Sequence, residues 1–342
     1  MGRRPSSNLN LPPYMRKRVR GKHTYYYLDT GAKPRKEIAL GTDYFLALQK
    51  YAELAIPQRV ASEIKFGDAL QRYLTEIVPT LATNTQHTHR SDAKHVNAFF
   101  GTAPIDQIRP MHIRQFLDRH KATPTTANRC KRLVSAVWNH ARGWGYTNAS
   151  NPCQGIAGFA LAKRTVYISD TVFEAVYSHA SAPLRDAMDL AYLTGQRPAD
   201  ALQMSERDIV DGYLTVTQVK TKQPLRIIIS GKLAQLIERI RQRKRSHNVI
   251  TAALLVNEWG KRLTAPALRN QFVMARKAAA LAHPKLASAI EKFRFYDLRA
   301  KAADDTSDER GEQAASDLLG HDSVKTTQRH YLRRGRIVPP TR

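Results

Sequence analysis

Three short strand-like runs alternate with turns at the start of the chain. Residues 15–19, 24–28 and 37–40 read as strands, and Gly21-Lys22 and Thr30-Gly31 mark the reversals. From Asp43, a suitable N-cap, to about residue 60 the period becomes helical, with Leu46, Tyr51 and Leu54 as the expected buried face. Helical spacing continues from residue 65 to about 155. Phe66, Leu70, Tyr73 and Leu74 form one apolar set, His95 and Phe99 a second, Ile113, Phe116 and Leu117 a third, and Leu133, Val137 and Trp138 a fourth. Asn151-Pro152, after Gly143-Trp144-Gly145-Tyr146, marks a helix end.

Further along, Ser169 is placed to cap a helix containing Val172, Phe173 and Val176. Leu184, Met188 and Ala191 follow the spacing of a buried helix face that Gly195 can terminate. Leu214 and Val216, then Leu225, Ile227 and Ile229, alternate as two strands around a turn with Lys220 near its tip. Leu233, Leu236, Ile237 and Ile240 define another amphipathic helix. The pattern predicts a mainly α chain with small β-sheets, an α+β protein of several domains. These are a sheet with one helix at 1–63, a helical domain at 64–155, a linker at 156–164, a mixed domain at 165–335 and a basic tail at 336–342.

Charge narrows the partner. Lys and Arg number 55 against 29 Asp and Glu, a net charge of +26, which favours a polyanion and salt-sensitive binding. Charge alone does not separate DNA from RNA, nor a specific binder from a generally basic protein. Residues 1–63 carry twelve basic against five acidic side chains, with Tyr25, Tyr26 and Tyr27 in the second strand run. Such a basic sheet can read a groove; the plainer alternative is a hairpin packed on the next domain. Residues 1–13, with Arg3, Arg4 and three prolines, read as a basic arm. Cys130 and Cys153 are too few for a disulfide framework, which points to a reducing cytoplasm. No apolar run is long enough to span a bilayer, and no secretory pattern follows the basic start. No repeat, heptad, Walker loop or metal-ligand cluster is found, so no metal or other cofactor is expected.

Candidate chemistry gathers in the last 150 residues. Thr194-Gly195-Gln196-Arg197-Pro198-Ala199-Asp200 follows a predicted helix, and Lys220-Thr221-Lys222 lies between two strands. Tyr296-Asp297-Leu298-Arg299, Leu318-Leu319-Gly320-His321 and the run ending in His330-Tyr331 come after. Arginines offer fixed forks to phosphate oxygens, histidine adds a hydrogen-bonding group, and a deprotonated tyrosine is a nucleophile. Singly, each has an ordinary reading: an exposed arginine, a solvated turn lysine, one packing tyrosine among fourteen.

In this order and spacing, Arg197, Lys220, Arg299, His321 and Tyr331 resemble the motif set of the tyrosine recombinase (phage integrase) family over residues 165–335. The resemblance implies a C-shaped clamp on double-stranded DNA, with residues 64–155 as core-binding domain and residues 1–63 as the arm-type DNA-binding domain of lambda-like members. It implies a nucleophile at Tyr331, phosphate contacts from Arg197, Arg299 and His321, and an acid at Lys220, with Lys222 as the other candidate. Asp200 would orient the site from behind. Tyr296 departs from the family, which usually has histidine there. A phenol is a poor base at neutral pH, and His330 is a conceivable substitute that should point elsewhere. DNA contacts are expected from Arg16, Lys17, Arg18 and Lys22, from Arg129 and Arg132, and from Lys163 and Arg164. Arg333, Arg334, Arg336 and Arg342 read either as DNA contacts or as a segment docking on a neighbouring protomer. The implied activity is DNA integration or excision through a 3′-phosphotyrosyl link, by four protomers on synapsed DNA, with DNA-bending or excision accessory proteins as possible partners. The setting would be a bacterial nucleoid. A dimer resolvase, a type IB topoisomerase and a regulator with a degenerate site are the rivals.

Overall fold

The opening alternation becomes an antiparallel sheet in the computed structural model, which describes residues 11–31, 34, 36–61, 64–247, 251–335 and 340–341, of 55–61 the backbone only. Arg3, Arg4, Arg336 and Arg342 lie outside the described residues. The chain divides into two compact units, Met1–Ala162 and Lys163–Arg342.

In the first unit β1 (Met15–Arg20), β2 (His23–Asp29) and β3 (Glu37–Gly41) pair in that order, followed by α1 (Tyr44–Ala61). Asp43 caps this helix by accepting the Leu46 amide at 2.9 Å. Leu46 itself is 65% exposed, against expectation, and Ala47 is buried in its place beside Met15, Leu28 and Leu40. The sheet-facing stripe runs through Ala47, Tyr51 and Leu54 at i, i+4, i+7, and Leu46 stands one position, about 100°, off it.

Four helices follow: α2 (Phe66–Arg72), α3 (Thr83–Phe100), α4 (Pro110–Arg119) and α5 (Pro124–Gly143). Phe66, Leu70, Tyr73, Ile113, Phe116, Leu133, Val137 and Trp138 share their core, and the Trp138 indole donates to the Ala149 carbonyl at 3.2 Å. On α3 the inward residues are Ala93, Val96 and Phe100, while His95 faces solvent and Phe99 is half-buried. Val96 and Phe100 continue the stripe of Ala93 at i+3 and i+7, so the expected register was off by one residue.

The second unit begins with α6 (Asp170–Ser178), α7 (Ala182–Thr194) and the single turn α8 (Pro198–Ala201). Ser169 caps α6 through the Val172 amide, and Gly195 ends α7 in the left-handed region at φ 64°. A Cβ at Gly195 would also press on Leu318 at 3.0 Å. The two expected strands are β5 (Tyr213–Thr217) and β6 (Pro224–Ile228), joined on one edge by a short β4 (Ile209–Val210) that the pattern did not show. Then come α9 (Gly231–Arg245), α10 (Ala265–Ala282), α11 (Ala287–Lys292), α12 (Asp297–Arg310), α13 (Glu312–Leu319) and α14 (Val324–His330). Leu184, Met188, Leu214, Val216, Leu236, Ile240, Phe272 and Leu298 lie in one core. The fold is therefore mainly helical with two small antiparallel sheets. No described helix is long and apolar enough to cross a membrane.

Buried Asp297 ties the start of α12 to both flanks of the unit. It accepts from Arg164 Nε at 2.8 Å, Arg333 Nη1 at 2.6 Å and the Arg294 amide at 2.8 Å. Burial pushes its carboxyl up, but Arg164 and Arg333 outweigh that and hold the pKa below the usual carboxylate value. A depressed folded pKa makes this stabilisation fully present above the unfolded value of about 4 and lost as pH falls through the folded one. Asp297→Ala, which strands Arg333 without its partner, is expected to cost about 3–5 kcal/mol. Urea unfolding at pH 7 checks this, and an unchanged midpoint would show that the clamp contributes nothing.

Candidate active site

Three chain reversals bring the chemistry together. Gly195 lets α7 end abruptly, so Arg197 falls at the N-cap of α8 with Pro198 next to it. Arg197 Nη1 donates to Gln218 Oε1 at 2.8 Å and stands 3.7 Å from Asp200 Oδ2. Asp200 faces the other way with Oδ1, which accepts the Val219 amide at 2.8 Å. Thr221 Oγ1 donates to Gln218 Oε1 at 2.7 Å. Lys220 is thus flanked by two anchored neighbours and lines the cleft, whereas Lys222, at φ 59°, is not among the lining residues.

The second reversal is Gly320, left-handed at φ 64°, which turns the chain from α13 to His321. Arg299, only 1% exposed, donates from Nη1 to the Gly195 carbonyl and from Nη2 to the Leu319 carbonyl, both at 2.7 Å. The same Nη2 lies 3.1 Å from His321 Nε2. A guanidinium cannot accept, so His321 Nε2 must be the acceptor and Nδ1 carries the proton, donating to Thr327 Oγ1 at 2.8 Å. The ring is neutral. Burial, then the charges of Arg299, Arg197 and His330, push its pKa down to about 4.

The third is the end of α14, which delivers Tyr331. This side chain is 7% exposed, packs on Ala300, Ala303 and Leu319, and presents its ring to the Arg299 guanidinium at 5.2 Å. Its hydroxyl is 2.8 Å from that of Tyr296. Burial and the bond to Tyr331 push Tyr296 up to about 12. At Tyr331 burial acts upward too, but the Tyr296 hydrogen bond and the charges of Arg299 and Arg197 outweigh it and lower the pKa. The negative form is thus favoured on the Tyr331 oxygen over that of Tyr296. Tyr296 stands at the position where the family usually has histidine, with its hydroxyl against that of Tyr331.

Arg197, Lys220, Tyr296, His321, His330 and Tyr331 line one cleft of about 630 Å³. His330 was expected to point away from Tyr331; it lines the same cleft, because α14 ends there and the chain leaves helical geometry. Arg299 was expected to offer its fork to the ligand. Its terminal nitrogens instead bond two backbone carbonyls, and it contributes its charge from behind the Tyr331 ring.

The other basic candidates separate into free and engaged. Lys17 and Lys22 on the first sheet and Arg132 on α5 are exposed. Arg16 pairs with Asp29 at 3.0 Å, and Arg18 pairs with Glu37 at 2.6 Å and lies over the Tyr27 ring. Arg129, expected on DNA, is a bidentate partner of buried Asp92 at 2.7 and 3.0 Å. Arg164, expected at phosphate, is held by Asp297 and by the Lys292 carbonyl, although its edge still lines the cleft beside the exposed Lys163. Arg333 is buried against Asp297 and the Val166 carbonyl, and Arg334 engages Tyr167, Asp305 and Asp308. Both are tied to their own unit, Arg333 with its side chain buried and Arg334 on the exposed surface. Each of these carboxylates lies far from its arginine in sequence, so residue spacing could not reveal the pairs.

A mainly helical chain with a phenol pair, arginines, a histidine and a hairpin lysine at one site has the side chains to hold a phosphodiester and to attack it with a phenol. Comparison with known proteins places it. Residues 167–335 match the phage integrase family, and residues 65–120 match the phage integrase N-terminal SAM-like domain. The chain belongs to the phage integrase family of tyrosine recombinases. It is 26% identical to the integrase of Escherichia phage HK022 and 24% to that of Escherichia phage lambda, in each case over 98% of both chains. A lambda integrase tetramer bound to a Holliday junction shares its fold with a TM-score of 0.71, at 22% identity over 98% of this chain and 99% of that one. The Tn1549 transposon integrase in complex with transposon right end DNA follows at 0.65, with 15% identity over 78% and 95%.

The inverted role of His321 is measurable. An anionic ester beside His321 in the cleft would favour a protonated Nε2, so ligand binding should take up a proton near neutral pH. Imidazole titration by NMR is expected to place free His321 near 4 and to raise it on adding a DNA site. A pKa that stays unchanged with DNA bound would show that His321 never turns its proton toward the ligand.

Proposed function

We propose that this protein is a site-specific integrase that cuts and rejoins double-stranded DNA through Tyr331. The observation that carries the reading is Tyr331, its hydroxyl 2.8 Å from that of Tyr296 and its ring against the Arg299 guanidinium, in a cleft lined by cations. Tyr331 releases its phenolic proton to solvent, its oxygen bonds to phosphorus and the P–O5′ bond breaks, giving a 3′-phosphotyrosyl link. Lys220 supplies the proton that the departing 5′-oxygen needs. Arg197, His321 and the buried charge of Arg299 stabilise the extra negative charge on the phosphorus oxygens, an electrostatic effect of the oxyanion-hole kind. The covalent link conserves the energy of the ester, so a partner strand's 5′-hydroxyl reverses the step without a nucleotide.

Exposed Lys17, Lys22, Arg132 and Lys163 supply phosphate contacts, and the tyrosine-bearing first sheet takes a second class of DNA site. The resemblance to phage integrases runs the length of the chain, this sheet included, which favours an integrase over a dimer resolvase. Lambda integrase assembles as a tetramer on a Holliday junction; by the same fold four copies of this chain would synapse two sites in the bacterial nucleoid.

Tyr331→Phe is expected to bind DNA normally and to yield no covalent complex with a nicked suicide substrate; a normal yield would overturn the assignment. Tyr296→Phe removes one hydrogen bond to a developing phenolate, about 1.5–3 kcal/mol, or roughly a 10- to 150-fold slower single-turnover cleavage. Tyr296→His should retain activity, because imidazole can also donate. An unchanged rate for Tyr296→Phe would reduce this phenol to packing.

A further inference from the structure

Gln218 was not among the residues the sequence singled out, yet its side chain joins three segments behind the cleft. It is 0% exposed, and all four of its hydrogen-bonding positions are filled. Its Nε2 donates to Gln196 Oε1 and to the Leu319 carbonyl, both at 2.8 Å. Its Oε1 accepts from Arg197 Nη1 at 2.8 Å and from Thr221 Oγ1 at 2.7 Å. The amide cannot be turned over: a guanidinium only donates and a carbonyl only accepts, so each end has one permitted identity. Gln196 extends the same chain of bonds to the Thr194 and Leu318 carbonyls at 3.0 Å.

Three segments therefore meet on one amide. They are the α7–α8 turn carrying Arg197, the β5–β6 hairpin carrying Lys220, and the end of α13 preceding His321. We propose that Gln218 is the positioning residue that sets Arg197 and Lys220 in register with each other, so that phosphate binding and leaving-group protonation share one geometry. Its two acceptor bonds reach the phosphate arginine and the residue after the lysine. The residue before the lysine is fixed independently, through the Val219 amide on Asp200. Lys220 is thus bracketed on both sides, and only the Thr221 side of the bracket passes through Gln218. Preorganisation of this kind acts on the rate, because donors already in place need no rearrangement as charge develops.

The assignment takes Lys220 as the leaving-group acid, as proposed above, and two variants test it separately from that reading. Gln218→Met keeps the volume and removes all four bonds; Thr221→Val removes only the exposed link to the hairpin. Single-turnover cleavage is measured on a nicked DNA site carrying either an ordinary phosphodiester or a 5′-bridging phosphorothiolate, whose thiolate departs without a proton. On the ordinary ester Thr221→Val should be slower by about tenfold, the scale of one lost hydrogen bond, and Gln218→Met by about 100-fold or more. The phosphorothiolate should restore Thr221→Val to the wild-type rate and Gln218→Met only in part, since Arg197 stays unheld. DNA affinity should change less than about threefold for both, because phosphate charge is retained. Lys220→Ala is the control: its failure to be rescued would overturn Lys220 as the acid. Rescue of Lys220→Ala together with an unrescued or absent defect in Thr221→Val would overturn the link through Gln218. A Gln218→Met protein that cleaves both esters at the wild-type rate would also overturn it, and so would one whose slower turnover is entirely weakened DNA binding.

Discussion

Cations repel, and the cleft of this protein gathers several around one small volume. What the site depends on is the set of neutral and acidic acceptors behind them. Arg299 is buried at a cost that falls on its own protonation, lowered first by desolvation and then by Arg197. The Gly195 and Leu319 carbonyls compensate, and both come from chain reversals that glycine makes possible. Arg197 is held by an amide and Arg164 and Arg333 by one carboxylate. The positive field is therefore fixed before any phosphate arrives, and little reorganisation remains to be supplied when charge develops on phosphorus.

That field explains the phenol pair. Two adjacent tyrosines would ordinarily share a proton without preference. Here Arg299 lies under Tyr331 and its charge acts most strongly there, so the negative form is favoured on one oxygen and disfavoured on the other. The same charges keep His321 neutral. A histidine at position 296 would stand in this cationic setting too, with its own proton affinity depressed; a phenol donates there without carrying charge. A tyrosine here is thus consistent with the site's electrostatics.

Several arginines that look available in sequence are engaged by the protein's own carboxylates. Arg129, Arg333 and Arg334 each meet one that no local pattern connects to them. With a net charge of +26, a count of basic residues overstates the surface free for DNA. The remaining exposed lysines and Arg132 carry that part of the proposed function.

Amphipathic period alone determined most elements, since burial of one face is a local property of spacing: Leu184, Met188 and Ala191 on α7 and Leu214 and Val216 on β5 are buried as their spacing requires. The order of Arg197, Lys220, Arg299, His321 and Tyr331 likewise identified the family and the cleft, because such a site needs those residue types whatever holds them. Register failed where two apolar stripes competed within one turn, as at Leu46 and Ala47 or at His95 and Val96. One signal lay unread: Gln218 continues the inward series of Leu214 and Val216, and a polar residue at a core position implies partners. Which partners those are, which arginines face inward and which phenol keeps its proton were decided only by tertiary structure. These depend on distances between residues remote in sequence, and hydrogen bonds and charge act over a few ångströms of space, not along the chain.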